Sequence, residues 1–262
     1  IHSITDAIMS RTLEYTVSHS LTAAQCNAQR ELAPAQLVQQ LIEAATCHAD
    51  SLDFGFRRLQ SLGILWVLSR ISFKMDRYPQ VFETYSITTW VESFNRHFSE
   101  RNYMISGADG QPIGYAHTVW MAIDLRSRRP ADLSVLGDLN RLICDRPCPV
   151  GKGALIRRPE NPDRVNPYTF QVSDIDCNRH VNSARYVELV INQMELAIFD
   201  RNLLHHFEIA YKHEARFGDR VTVESQTDGE TVTTAIMAGD TPACLARYTL
   251  TPRTPEPCGS CL

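Results

Sequence analysis

The chain has 262 residues, and at about 150 residues per domain this means one large domain or two small ones. Hydrophobic residues make up 44% and charged residues 21%; a chain of this size buries roughly 73% of its unfolded surface and needs no staple, which excludes wholesale disorder. The net charge of −4 offers no bulk attraction to nucleic acid, and no apolar run approaches the roughly 20 residues of a membrane span.

Residues 1–10 have no basic, apolar or Arg-rich targeting character. The eight cysteines are scattered, which points to reduced thiols and a cytoplasmic location rather than a disulfide framework. Cys258 and Cys261 form a lone CxxC in a Pro-punctuated tail. One such pair cannot complete a zinc site, and no metal or cofactor is expected.

In chain order, residues 11–18 alternate like a strand. Pro34 then opens a helix, where its missing N–H is harmless, and Leu37, Val38, Leu41, Ile42, Ala45 and His48 follow helical spacing. Four strand-like runs come next, at 64–75, 81–91, 98–106 and 113–124, with Asp109-Gly110 as a hairpin turn. The stretch 131–167, punctuated by Pro and Gly, reads as a linker. The order then repeats. A short strand at 168–173 precedes a helical stripe of Tyr186, Val187, Val190, Ile191, Met194, Ala197 and Ile198. Strands follow at 207–213, 220–226, 231–237 and 243–250, with Asp228-Gly229 matching the first hairpin. This divides the chain into units 1–130 and 168–251, a linker 131–167 and a tail 252–262. The expected class is α+β: two tandem antiparallel sheets, each wrapped around a helix, the second copy covering an edge and a face that the first leaves exposed.

Several strings carry a resemblance. Leu65-Trp66-Val67, Asp76-Arg77-Tyr78-Pro79, Thr89-Trp90-Val91, Val119-Trp120 and Arg126-Ser127-Arg128-Arg129 resemble the N-terminal half of the acyl-acyl carrier protein (acyl-ACP) thioesterases. Asp174-Ile175-Asp176-Cys177-Asn178-Arg179-His180-Val181-Asn182 resembles their catalytic signature. The resemblance runs from about Arg11 to Thr251, implies a double hot-dog fold, and without a transit segment looks like a bacterial member rather than a plastid one.

Asp176, Asn178 and His180 occupy alternate positions, so an extended segment would aim all three to one side. The helix that follows can be capped by Asn182 or Ser183, and its N-terminus brings free N–H groups and a positive dipole end. From spacing alone the triplet serves equally as a capping turn; the resemblance assigns it to catalysis, with Glu214 as the fourth member. The plant relatives carry a cysteine after that glutamate, whereas Ala215 stands here. The expected mechanism is attack by water, with His180 or Glu214 as general base, Asp176 orienting its neighbours, and Asn178 with a backbone N–H holding the oxyanion.

The first half, with Gln25-Cys26-Asn27-Ala28-Gln29 before its helix, lacks the polar triplet, so only one copy is expected to be catalytic. By resemblance the other binds the acyl chain, with Leu37, Leu41, Ile64, Trp66, Leu68 and Ile71 as candidate lining. Docking of acidic acyl carrier protein needs a local basic patch; the candidates are Arg57-Arg58, the trio Arg126, Arg128 and Arg129, and Arg157-Arg158. Two readings compete with acyl-ACP hydrolysis: the same chemistry on coenzyme A thioesters, or a non-catalytic acyl-thioester sensor. Hot-dog hydratases set four residues between Asp and His, against three here. No GxSxG elbow occurs, Gly151-Lys152-Gly153 lacks the rest of a phosphate loop, and His205, His206 and His213 read as surface histidines. A homodimer is compatible with the fold.

Overall fold

The computed structural model describes residues 13–253; the opening residues and the tail with Cys258 and Cys261 lie outside them. The first half runs β1 (Glu14–Ser20), α1 (Pro34–Ser51), α2 (Phe56–Ser61), β2 (Ile64–Met75), β3 (Thr84–Phe94), β4 (Phe98–Ser106) and β5 (Pro112–Asp124). The second runs β6 (Arg164–Thr169), α3 (Ser183–Ile191), α4 (Leu196–Arg201), β7 (Asn202–Tyr211), β8 (Arg220–Asp228), β9 (Thr231–Ala238) and β10 (Thr241–Pro252). Among the described residues no helix is long and apolar enough to cross a membrane.

The two five-stranded units join edge to edge in the order β1-β3-β4-β5-β2-β7-β10-β9-β8-β6. Reading outward from β2 and β7, the order of one unit mirrors the other, so the duplication visible in the sequence becomes a pseudo-twofold axis. At the junction β2 and β7 run antiparallel, with Ile71 opposite Ile209 and Phe73 opposite Phe207, whose rings stack at 5.2 Å. One edge of each unit is thereby paired by its copy, leaving β1 and β6 as the outer edges of the joined sheet. On the concave side, α1 packs against α3, and the inward residues of the strands close a common core with both helices.

Pro34 is the first residue of α1, and Leu37, Val38, Leu41, Ala45 and His48 are all buried, as their spacing requires. Both hairpin turns hold glycine at positive φ, Gly110 at 77° and Gly229 at 59°, a conformation open to Gly without steric cost. The stripe read as one helix over 186–198 is two, interrupted after Ile191, so the next strand begins earlier than the apolar pattern suggests, at Asn202. The strand read as 168–173 lies at Arg164–Thr169 and reaches into the Pro-rich stretch. Pro167 is tolerated there because β6 is an edge strand, where a missing N–H breaks no inner ladder.

The stretch between the units is not a free linker. It bridges in parallel to β3 at Val91–Ile143, and Trp90 Nε1 donates to Arg146 O at 2.9 Å while the Arg146 guanidinium lies 4.7 Å over the indole. Further on, Arg70 holds the carbonyls of Gly153 and Ala154, and Ile156 is buried against β7, β9 and β10. A side chain at Gly153 would run into the carboxylate of Glu208, so glycine lets this strap lie flat on the convex side of the sheet.

Candidate active site

The loop carrying the signature is a tight turn, not an extended segment. A bridge between Ile175 and Val181 closes its base, Asp176 N–H donates to His180 O at 2.8 Å, and Arg179 adopts φ of 66°. The Asp176 carboxylate turns into the loop, accepting from the backbone N–H of Asn178 (2.8 Å) and of His180 (3.1 Å). This corrects the expectation that three alternate side chains point one way. Asp176 holds the turn, and the turn presents the other two. Val181 N–H reaches Ala215 O at 2.8 Å, which draws the Glu214 strand end against the loop. Asn182, not Ser183, caps α3, accepting from Ala184 N–H at 2.9 Å.

His180 Nε2 lies 3.4 Å from Glu214 Oε2, with both side chains about one-quarter to one-third exposed. The same carboxylate oxygen is gripped by Arg128, a residue expected in the docking patch. Arg128 comes from the β5 turn of the first half, at φ of 58°; a turn sequence of three arginines gives no sign of which one folds back. His180 and Glu214 are thus set by elements of both halves.

The first half holds the same turn without the same chemistry. Cys26 bridges Leu32, Asn27 Oδ1 accepts from the N–H groups of Gln29 (3.1 Å) and Glu31 (3.0 Å), and Arg30 adopts φ of 62°. Asn27, Gln29 and Glu31 therefore stand where Asp176, Asn178 and His180 stand in the second copy. In place of a histidine–glutamate contact, Glu31 forms a two-bond ion pair with Arg253, at 2.6 and 2.8 Å.

A mainly apolar cavity of about 200 Å³ opens beside the Asp176–Asn182 loop, at Asn178. Its wall is Ile42, Ala45, Thr46 and Ala49 of α1, Phe54 to Phe56, Trp66, Trp120 and Arg101, all of the first half, and Asn178 of the second. Gly55 is part of this wall, and a Cβ there would collide with Asp50. Of the six expected lining residues only Trp66 lines it. Leu37, Leu41 and Ile71 are fully buried in the main core and Ile64 in a neighbouring cluster, while Leu68 is also buried away from the wall. The helix explains the difference. Leu37 and Leu41 belong to the stripe that meets the sheet, whereas Ile42, Ala45, Thr46 and Ala49 form the adjacent flank with smaller side chains.

Arg101 was missed. It is 2% exposed, its Nη1 lies 2.7 Å from His48 Nδ1 and 3.2 Å from Thr89 Oγ1, and burial lowers its pKa to about 10. Strand alternation through Arg101, Tyr103 and Ile105 was the available signal, since the last two face the core. Of the remaining docking candidates, Arg57, Arg58, Arg126 and Arg129 are exposed, and Arg158 is paired with Glu224 through two bonds of 2.7 Å.

Comparison with known proteins agrees with this architecture. Residues 12–138 match the family model of the acyl-ACP thioesterase N-terminal domain, and residues 158–250 that of the C-terminal domain. A chloroplastic palmitoyl-acyl carrier protein thioesterase of Gossypium hirsutum is 22% identical over 215 residues, covering 77% of this chain and 52% of that protein. A chloroplastic oleoyl-acyl carrier protein thioesterase of Arabidopsis thaliana is 24% identical over 214 residues, covering 75% and 58%. The chain thus spans about half the length of the curated relatives it matches. Among solved structures, an acyl-ACP thioesterase from Bacteroides thetaiotaomicron superposes with a TM-score of 0.84 at 30% identity, over 91% of this chain and 98% of that one. A 12:0-ACP thioesterase from Umbellularia californica shares the fold, with a TM-score of 0.83 at 19% identity over 92% and 98%.

Proposed function

This chain belongs to the acyl-ACP thioesterase family, and from that premise we propose that it hydrolyses the thioester joining a fatty acyl chain to acyl carrier protein. The observation that carries the reading is that one short loop joins the two parts: its Asn178 lines an apolar cavity, and its His180, two residues on, meets Glu214, which Arg128 holds. An acyl chain in the cavity of the first half brings its thioester to the loop of the second. Water adds to the carbonyl carbon, and His180 or Glu214 takes its proton. The Asn178 amide donates to the oxyanion. Collapse breaks the C–S bond, and the base returns the proton to the departing thiolate, leaving free acid and carrier thiol. Arg128 fixes the carboxylate and Asp176 fixes the loop; neither needs to touch substrate. With Ala215 following Glu214 there is no thiol at that place to serve as nucleophile.

Arg57, Arg58, Arg126 and Arg129 supply the exposed positive charge for an acidic carrier protein. The test is incubation with acyl-acyl carrier proteins of graded chain length and with matched coenzyme A thioesters, reading released acid and free thiol together. Equimolar release, faster from the carrier protein, supports the proposal. Faster release from coenzyme A reassigns the substrate, and release from neither overturns hydrolysis.

A further inference from the structure

A second cluster lies on the convex side of the first unit, under the strap. Glu92 of β3, Glu100 of β4 and His117 of β5 each bring one potential ligand atom to within 4.8 Å of the others. His117 Nε2 is 3.4 Å from Glu92 Oε2 and 3.6 Å from Glu100 Oε2. These are long for N–H···O hydrogen bonds, and neither ring nitrogen makes one. They do match the edge of a coordination tetrahedron, since zinc bonds of about 2.0–2.1 Å set neighbouring ligands ~3.3–3.4 Å apart.

The surroundings also lack a partner. In strand register Asn102 and Ser72 flank His117 on either side. Both are buried, and Asn102 Oδ1 and Ser72 Oγ make no hydrogen bond. Glu92 and Asn102 line a cavity of about 410 Å³ together with Cys144, Cys148 and Lys152 of the strap. The His117 side chain is 1% exposed, so its ring nitrogens are shut off from solvent and Nε2 faces the two carboxylates. One cation already serves the cluster: Lys152 Nζ is 2.7 Å from Glu100 Oε2, on a side chain that is 64% exposed and so free to swing out.

We propose that Glu92, Glu100 and His117 form a divalent-cation site under the strap, best suited to zinc, with Lys152 as the internal cation that the metal displaces. One imidazole and two carboxylates are a ligand set that zinc accepts, with water in the fourth position. The three ligands come from three strands, so the ion binds only the folded sheet and stabilises it.

The test uses the full chain carrying Cys258→Ser and Cys261→Ser, so that terminal thiols do not compete, stripped with a chelator and titrated calorimetrically with zinc chloride. The expected result is one zinc per chain, a rise in melting temperature, and a tetrahedral visible spectrum when cobalt(II) replaces zinc. His117→Ala and Glu92→Gln each weaken binding at least tenfold, and Lys152→Ala tightens it. Should His117→Ala fail to fold, Glu92→Gln at its partly exposed position carries the test. Absence of saturable binding overturns the proposal, as does a zinc affinity unchanged by either ligand substitution.

Discussion

Asp176 shows how one carboxylate shapes a loop. Its carboxylate accepts the two N–H groups that shape the loop, and Asn27 does the same in the non-histidine copy with an amide oxygen. Asp176→Asn is therefore expected to fold with little loss of stability, while Asp176→Ala, which leaves the two N–H groups of this solvent-accessible loop to water, is expected to cost about 1 kcal/mol by urea unfolding. His180→Ala is expected to lower kcat about 100-fold or more, and Asn178→Ala about 100- to 1000-fold, with melting temperatures near that of the parent chain. Near-normal turnover in His180→Ala would remove the imidazole from the mechanism. That these residues belong to one loop was legible because the string Asp176 to Asn182 is distinctive. Their geometry was not, since period-two counting assumes extended backbone, and the positive φ of Arg179 breaks that assumption. Arg128 was legible as a cation but not as the partner of Glu214, because 86 residues separate them.

At the scale of elements, α1 divides its labour between two flanks. Leu37 and Leu41 hold the core, while Ala45 and Ala49 leave the space beside Trp66 and Asn178 open. Leu37→Ala should cost about 2–5 kcal/mol without changing which chain length is preferred. Ala45→Phe, projecting into a cavity of only about 200 Å³, should shift preference to shorter acyl chains while turnover of the shortest substrates persists. Competition assays with mixed chain lengths check both. Unchanged preference in Ala45→Phe would count against this cavity as the acyl site. The helix itself was readable from Pro34 and the apolar stripe, but the lining was not. Large apolar residues announce burial, whereas a cavity is made by small ones, and a sequence does not distinguish an alanine that packs from one that leaves room. The strap was read as a linker for a similar reason. Its contacts run through Arg146, backbone carbonyls and Gly153, none of which has periodicity.

At the scale of the whole molecule, long-range charge would govern an encounter with the proposed acidic carrier protein. Activity on acyl-acyl carrier protein is expected to fall steeply with added salt, while activity on a short thioester without a carrier is indifferent to it. The pairing of β2 with β7 has a different consequence. With Phe73 stacked on Phe207 and Tyr78 OH bonded to Leu204 O at 2.9 Å, loss of one half uncovers an apolar strand on the other, and the two are expected to melt as one cooperative unit. The distribution of chromophores makes this directly visible. All three tryptophans, Trp66, Trp90 and Trp120, belong to the first half, so indole fluorescence reports on that half alone while far-ultraviolet dichroism reports on both. Superimposable denaturation curves from the two signals would mean that the two repeats form one thermodynamic object, and displaced midpoints that each still keeps its own.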